Sequence, residues 1–538
     1  MKNNPPVKKL RFLFFTLTCL SMILFMGASC IYIPHRGYDW PTDPVQHECE
    51  TNFDQFASFR IYMEGSHAEP PTNTHSSFLP LDRYDWQNAT FTMSDTRPEH
   101  QFNNVSGRIR GRGNSTWNVG TRPTQPHMQK WPFRIRFDNP ISMLGSYSVS
   151  TDWSFIANLS DYTLMRNEAV SYMGRRMGGM DWQTRSRFVH VYFNGQYRGV
   201  YWLAEQLEVS NYNPSRDQDY VRGRVPLTYS PNPRVSEYFI ELDLRAYRAP
   251  TNNPTNLPVE GVDFLNVNGR LYDVRFPDDT RENGNGFTRR YNTPAHMEYL
   301  RTFIRNVEAA IQSRNWARIN SWIDVESFVD FYLMQEFFKD MDVGGLSVHM
   351  TIRNSLDGGR RLYKGPLWDF DLSAGNTNPS TNWGTYSLWN NRGGYGTTGI
   401  WAGYVNRWFR QMLSVPQFFE LAGQRFQHVA FSTEYRISPL DAMIAHLDNL
   451  SLTYNNEFDR NFVRWNSKLG RRIWTQSSEI VQLTTHRQNV VHLNNWFYCR
   501  RLQLAHFFEN GSGATIVDTL WSGNWLKPMD LLTSAKAA

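Results

Sequence analysis

The sequence predicts an α+β fold in two lobes, β-rich over residues 56–210 and mainly helical over residues 211–508. Three observations carry this expectation. Short alternating apolar runs, parted by Gly, Pro, Asn and Ser, fill the first stretch. Asn194-Gly195 divides two such runs, the strongest short hairpin signal a sequence carries. Past residue 293 the apolar spacing changes to the helical period. An aromatic content of 15% and a net charge of only +6 over 538 residues indicate a large folded body, not a disordered chain.

Taken in order, residues 59–62 and 89–93 read as strands. Residues 105–117 read as an alternating strand running into a loop that carries Gly111 and Gly113. Residues 130–137 form the next strand, with Lys130 at its head and Phe133, Ile135 and Phe137 on one face. Ser160 and Asp161 are N-cap candidates for a helix through Leu164, Met165, Ala169, Tyr172 and Met173, which Gly178-Gly179 stops. The Asn194-Gly195 hairpin exits at Glu205. Residues 211–292, rich in Asn, Pro, Arg and Asp, carry isolated strands at 238–243 and 272–276. Helices follow at 297–312 and 324–338, the second capped by Asp324 and feeding Phe328, Phe331, Tyr332 and Met334 to a core. Leu367 and Trp368 read as the end of a buried strand, and residues 376–399 as a Gly/Asn/Thr/Trp loop. Helical spacing resumes from 404 to about 509, and residues 509–538 form a tail.

The N-terminus bears on the compartment. Lys2, Lys8, Lys9 and Arg11 precede an apolar run at 12–26, shorter than the roughly 20 residues of a comfortable span. Gly27-Ala28-Ser29-Cys30 then has the small residues of a lipobox, with Gly27 where Leu is usual. Residues 1–29 are therefore expected to be a lipoprotein-type signal peptide, Cys30 the lipidated residue and residues 30–55 a tether. Ordinary secretion with cleavage nearby is the alternative. Either way the expected place is the bacterial cell envelope, on the periplasmic or outer-surface face, with the membrane touched through the lipid anchor only. Cys49 and Cys499 could pair in an oxidising compartment, and no Cys/His cluster has zinc spacing. Basic residues are spread without a Lys/Arg block, so nucleic acid is not an expected partner.

The chemistry concentrates in two acidic segments. Asp369 and Asp371 follow Trp368, and Lys339-Asp340-Met341-Asp342 lies upstream. Paired carboxylates at a turn are either solvated and capping, or oxygen ligands for a hard divalent cation. One carboxylate to orient a hydroxyl and others to hold Mg²⁺ are the minimum for phosphoryl transfer. Lys130 is the only lysine between the leader and Lys339 in a chain that prefers Arg. It is either a surface residue or a compact cation suited to phosphate. Trp117, Trp131, Trp153 and Trp368 are expected in packing, Arg110, Arg112, Arg134 and Arg136 mostly in salt bridges or solvent contact with one reaching a phosphate, and His349 in a structural role.

Strand, Gly-bearing loop, strand with lysine, helix, hairpin and then a helical half with an acidic centre is the order of parts in a protein-kinase-like fold. The chain resembles the CotH kinase family, atypical kinases associated with spore coats and secreted bacterial proteins. The resemblance runs through Arg110-Gly111-Arg112-Gly113-Asn114-Ser115-Thr116-Trp117, residues 130–137, Asp161 to Asn167, residues 191–201, 324–342 and 368–376. It implies an atypical kinase with ATP and Mg²⁺ or Mn²⁺ as cofactors. Asp342 would be the catalytic carboxylate, Asp369 a metal ligand, and Asp371 a second ligand or a group behind it. Lys130 would contact phosphate, Gly111, Gly113, Asn114 and Ser115 would cover the phosphates, and Glu205 would lie near the adenine. Arg166 and Asn167 would be supporting residues. Ser347 stands where kinases place an Asn that holds a second Mg²⁺, and its hydroxyl would be a weaker metal ligand there.

The leading expectation is an exported kinase that phosphorylates Ser or Thr of secreted or surface proteins. A kinase-fold scaffold without catalysis is the alternative. A nucleotide-sugar glycosyltransferase with Asp-x-Asp as metal clamp is a third reading, disfavoured by the lack of a Rossmann-like opening.

Overall fold

The computed structural model describes residues 56–63, 81, 83, 85–113, 116–117, 130–144, 149–180, 182–207, 227–246, 258–277, 281–283, 286–288, 293–355, 357–376, 400–432, 437–465, 469–472, 476 and 478–510. The expected signal peptide, Cys30, the tether, Cys49, Asn114, Ser115 and the tail lie outside them. The chain is mixed α+β, with strands dominating the N-terminal part and helices the C-terminal part.

Strands β1 (Ala57–Tyr62), β2 (Gln87–Ser94), β3 (Phe102–Gly111), β4 (Phe133–Ser142), β5 (Val149–Ile156), β6 (Ser186–Phe193) and β7 (Gln196–Glu205) close a barrel in the order β1-β2-β3-β4-β5-β7-β6. All pairings are antiparallel except the closing one, β1 with β6. Alternation sends Phe59, Phe91, Ile109, Phe133, Ile135, Trp153, Phe155, Val189 and Leu203 inward, where they share one core. Each such side chain contributes about 1.5–3 kcal/mol on leaving water. The same alternation lines up like charges outside, Arg108 opposite Arg136 and Arg110 opposite Arg134. Asp152 offsets this repulsion by pairing with Arg134 at 2.5 Å and Arg136 at 2.9 Å, and the Trp86 ring lies 4.8 Å from the Arg110 and Arg136 guanidiniums.

Helix α1 (Arg166–Met177) joins β5 to β6. It starts later than expected, with Met165 at the cap, while Asp161 still accepts the N–H of Arg166 at 2.9 Å. Gly178 ends it in the left-handed conformation at φ 82°. β4 also starts later, at Phe133, so Lys130 precedes the strand instead of heading it.

The remaining strands are β8 (Tyr238–Leu242), β9 (Phe264–Val267), β10 (Arg270–Phe276), β11 (Arg281–Asn283), β12 (Gly286–Thr288), β13 (Val348–Asn354) and β14 (Arg360–Lys364). They form a sheet of order β14-β13-β8-β10-β9 and a separate β11-β12 ladder. The helices are α2 (Pro294–Gln312), α3 (Trp316–Trp322), α4 (Val325–Phe338), α5 (Ala402–Val405), α6 (Arg407–Met412), α7 (Pro416–Phe431), α8 (Pro439–Thr453), α9 (Asn455–Arg464), α10 (Ser478–Val481) and α11 (His486–Asn510). Asp324 caps α4, as expected, accepting the Ser327 N–H at 2.8 Å. α4 is buried on nearly every face. Its two inner carboxylates are therefore paired: Asp330 with Arg425 of α7 at 2.8 Å, and Glu336 with Arg500 of α11 at 2.6 Å.

α9 packs on the barrel at β7. Asn461 Oδ1 accepts the Val200 N–H at 3.1 Å, and Trp465 Nε1 donates to the Arg198 carbonyl at 3.0 Å. Gly199 permits this contact with φ 100°; a Cβ there would lie 2.5 Å from Asn461 Oδ1. Cys499 is buried on α11. Leu367 and Trp368, expected at a strand end, instead lie in the loop after β14, which ends at Lys364. Among the described residues no helix is long and apolar enough to cross a membrane.

Candidate active site

The acidic loop 365–376 has neither helix nor strand, and side chains around α1 hold it in place. Leu367 exchanges two hydrogen bonds with Gln183: its N–H donates to Oε1 at 2.8 Å, and its carbonyl accepts from Nε2 at 2.9 Å. The Phe370 N–H donates to Asn167 Oδ1 at 2.9 Å. Arg166 donates from Nε to the Ser373 carbonyl at 3.0 Å and from Nη2 to the Ala374 carbonyl at 3.1 Å. On the far side the Ala374 N–H donates to the Phe338 carbonyl at the end of α4, 2.7 Å away. Asn376 Nδ2 closes the loop onto the carbonyls of Asp371 at 2.6 Å and Ser160 at 2.9 Å.

Asp161 anchors this cradle. It is buried, pairs with the Arg166 guanidinium, and accepts the Thr163 N–H at 2.9 Å and hydroxyl at 2.7 Å. His486 Nε2 donates to the Thr163 carbonyl at 2.9 Å, and burial lowers its pKa to about 4, so the ring is neutral. Arg166 and Asn167, expected only as supporting residues, are thus the clamps of the acidic loop.

Two chain segments, the acidic loop and the turn after α4, bring carboxylates together here. Asp369 is exposed, with a left-handed backbone at φ 70°, and its Oδ2 accepts from the Ser347 hydroxyl at 3.4 Å. Asp371 is buried, and its Oδ2 accepts from the Ser160 hydroxyl at 2.9 Å. Asp342 lies in the 3₁₀ turn Met341–Gly344 that follows α4, its N–H donating to Asp340 Oδ1 at 3.3 Å. Burial pushes the Asp342 carboxyl up to about 8; Asp369, Asp371 and Asp243 add repulsion, against Arg245. Burial pushes Asp371 up to about 7, and Asp369 and Asp161 act in the same direction. Asp340 is raised by burial and by Asp342 and Asp369.

Cations border the cluster. Arg112, directly after β3, is half-buried with its guanidinium 5.4 Å from the centre of the Trp368 ring. Burial lowers its pKa to about 10, opposed by Asp369 and Asp371 and reinforced by Arg134 and Arg275. Arg275 pairs with Asp273 at 3.0 Å and with buried Glu241, which His349 also approaches at 3.6 Å. Burial raises the Glu241 carboxyl, but Arg275 and His349 more than offset it and hold it low. His349 therefore takes a structural place, stacked on Phe239.

The other expected residues are distributed as follows. Lys130 is 1% exposed; its Nζ donates to the Val200 carbonyl at 2.5 Å and lies 4.9 Å from the centre of the Tyr201 ring. Burial lowers its pKa, and Asp161 is the charge that opposes this. Gly111 is buried, and a Cβ there would meet the Trp117 ring at 2.2 Å. Gly113 is exposed at φ 85°. Glu205 is buried at the end of β7, where its Oε2 accepts the Arg185 N–H at 2.8 Å. Trp131 and Trp153 are in the barrel core, Trp117 packs tilted against Trp131, and Trp368 lies between Arg112 and Trp202. Asp161, Asp340 and Arg245 were not singled out as site residues by sequence.

The family profile described as CotH kinase protein matches residues 109–501. The chain belongs to the CotH kinase family. A comparison with curated proteins gave no match. The matched span of this CotH family member covers the Arg112 loop, the Asp161–Asn167 cradle and both acidic segments, and family membership points to kinase-like activity.

Proposed function

We propose that this CotH family member is an exported, lipid-anchored protein kinase of two kinase-like lobes, transferring the γ-phosphoryl group of ATP to Ser or Thr of secreted or surface proteins. The observation that carries the reading is the convergence of Asp342 with Asp369 and Asp371, drawn from separate segments and felt by one another as charge. The leader at residues 1–29 and Cys30 support the envelope location.

The donor set suits Mg²⁺ or Mn²⁺, being oxygen only. Among the described residues no group of three or more His, Cys, Asp or Glu is placed to hold a metal by itself. Mg²⁺ needs no such cage, since one or two carboxylates plus the substrate phosphates commonly hold it. Asp369 and Asp371 would be those carboxylates, and the mutual repulsion in the cluster is what a cation would relieve. The cation, when bound, neutralises charge on the phosphates. Once ionised, which its raised pKa of about 8 puts at the alkaline side of neutrality in the free protein, Asp342 accepts the proton of the acceptor hydroxyl and orients that hydroxyl for in-line attack. Ser160 and Ser347 fix Asp371 and Asp369 by donating to one oxygen of each.

A kinase-fold binding protein without catalysis is the second reading, favoured by the burial of Lys130 against a backbone carbonyl. Purified protein incubated with labelled ATP, Mg²⁺ or Mn²⁺ and a Ser-rich protein separates the two. Label transfer that is lost in Asp342→Ala and in Asp369→Ala supports the kinase. ATP binding with no transfer by the wild type supports the binding protein.

A further inference from the structure

We propose that Arg112 is the residue that grips the polyphosphate chain of the nucleotide, in the role the sequence suggested for Lys130; this rests on the kinase reading above. Arg112 is placed by two contacts: its N–H donates to the Pro132 carbonyl at 3.2 Å, and its guanidinium stacks over Trp368. Trp368 is the residue before Asp369, so the stack ties the cation to the acidic loop itself. Among the described residues none accepts a hydrogen bond from the Arg112 guanidinium, leaving its donor fork unspent. Lys130 differs on each count: it is sealed from solvent and already bonded to Val200.

The surroundings select the ligand class. Arg112 feels the charges of Arg134 and Arg275 and also those of Asp369 and Asp371. A simple anion would satisfy the first set and be repelled by the second. A metal-bound polyphosphate satisfies both, its oxygens facing the guanidiniums and its cation the carboxylates. A planar guanidinium presents a rigid fork that matches two phosphate oxygens, whereas a lysine ammonium acts as a point charge without that fixed geometry.

Calorimetric binding of ATP and of adenosine to the full chain in Mn²⁺ tests this. Arg112→Gln should weaken ATP roughly 10- to 100-fold while leaving adenosine nearly unchanged. Arg112→Lys should recover part of the loss, and Lys130→Met should alter stability without changing the ATP-to-adenosine ratio. Folding of each variant is checked by its melting temperature, and Arg112→Lys carries the test should Arg112→Gln not fold. Equal loss for ATP and adenosine, or ATP binding within about twofold of wild type in a folded Arg112 variant, overturns the Arg112 assignment alone. A wild type that binds no ATP overturns the kinase reading and this inference with it.

Discussion

At Asp342, burial and three neighbouring carboxylates act in one direction, and Arg245 opposes them. The folded chain keeps this proton up to about 8, whereas an unfolded aspartate releases it near ~3.9. Between those values the unfolded state binds fewer protons, so stability is complete below ~4 and is lost as pH rises through about 8. In EDTA, thermal unfolding should therefore shift to lower temperature from pH 5 to pH 8.5. Asp342→Asn should flatten that dependence and stabilise the protein by about 2 kcal/mol at the upper end. A melting temperature that climbs over the range would contradict the assignment. Mg²⁺ should raise the melting temperature more at pH 8 than at pH 6, because carboxylates must lose protons to bind it. The acidic segments were legible in sequence because Asp has few reasons to recur beside apolar residues. Arg112 was named only among several arginines, since in an Arg-rich chain nothing local separates the one with an unspent fork from those paired with Asp152.

The cradle around α1 is an element built to hold a loop. Arg166 spans the Asp161 carboxylate and the carbonyls of Ser373 and Ala374, groups more than 200 positions apart in the chain. Arg166→Ala leaves Asp161 buried and unpaired, which should cost about 3–5 kcal/mol in chemical denaturation and abolish phosphoryl transfer. Arg166→Lys keeps the charge but cannot make all three contacts, so it should retain more stability than Arg166→Ala while still losing activity. At the β7–α9 contact, Gly199→Ala should cost about 2–4 kcal/mol, through a disfavoured φ and the approach to Asn461. Most elements were legible from periodicity: the hairpin at Asn194-Gly195, the Asp324 cap and the Gly178 stop are all where local chemistry puts them. β13 was missed although Val348, Met350 and Ile352 alternate, because its burial depends on β8 and β14, which are distant or short in sequence. Leu367 and Trp368 misled as a strand end for the converse reason: the Leu367 backbone bonds to the Gln183 side chain instead of a ladder, and the Trp368 ring lies against Arg112.

At the scale of the molecule, sequence gave the division into a β-rich and a helical part, but not the ring. Closure joins β1 to β6, and Met63 donates its N–H to Asn194 Oδ1 at 2.9 Å across 131 positions, a separation no local pattern announces. The family profile starts at residue 109, inside β3, so β1 and β2 lie outside it although they complete the wall that carries Arg112. A chain beginning at residue 109 should elute from size exclusion as aggregate, its β3 and β6 edges unpaired, whereas one beginning at residue 56 should elute as a defined species. Equal behaviour of the two would show that the ring is dispensable. Kinship and foldability should thus have different limits in this protein: the stretch by which relatives are known is expected to be too short to stand alone, and an investigator who trims to it would mistake a broken hoop for an inactive enzyme.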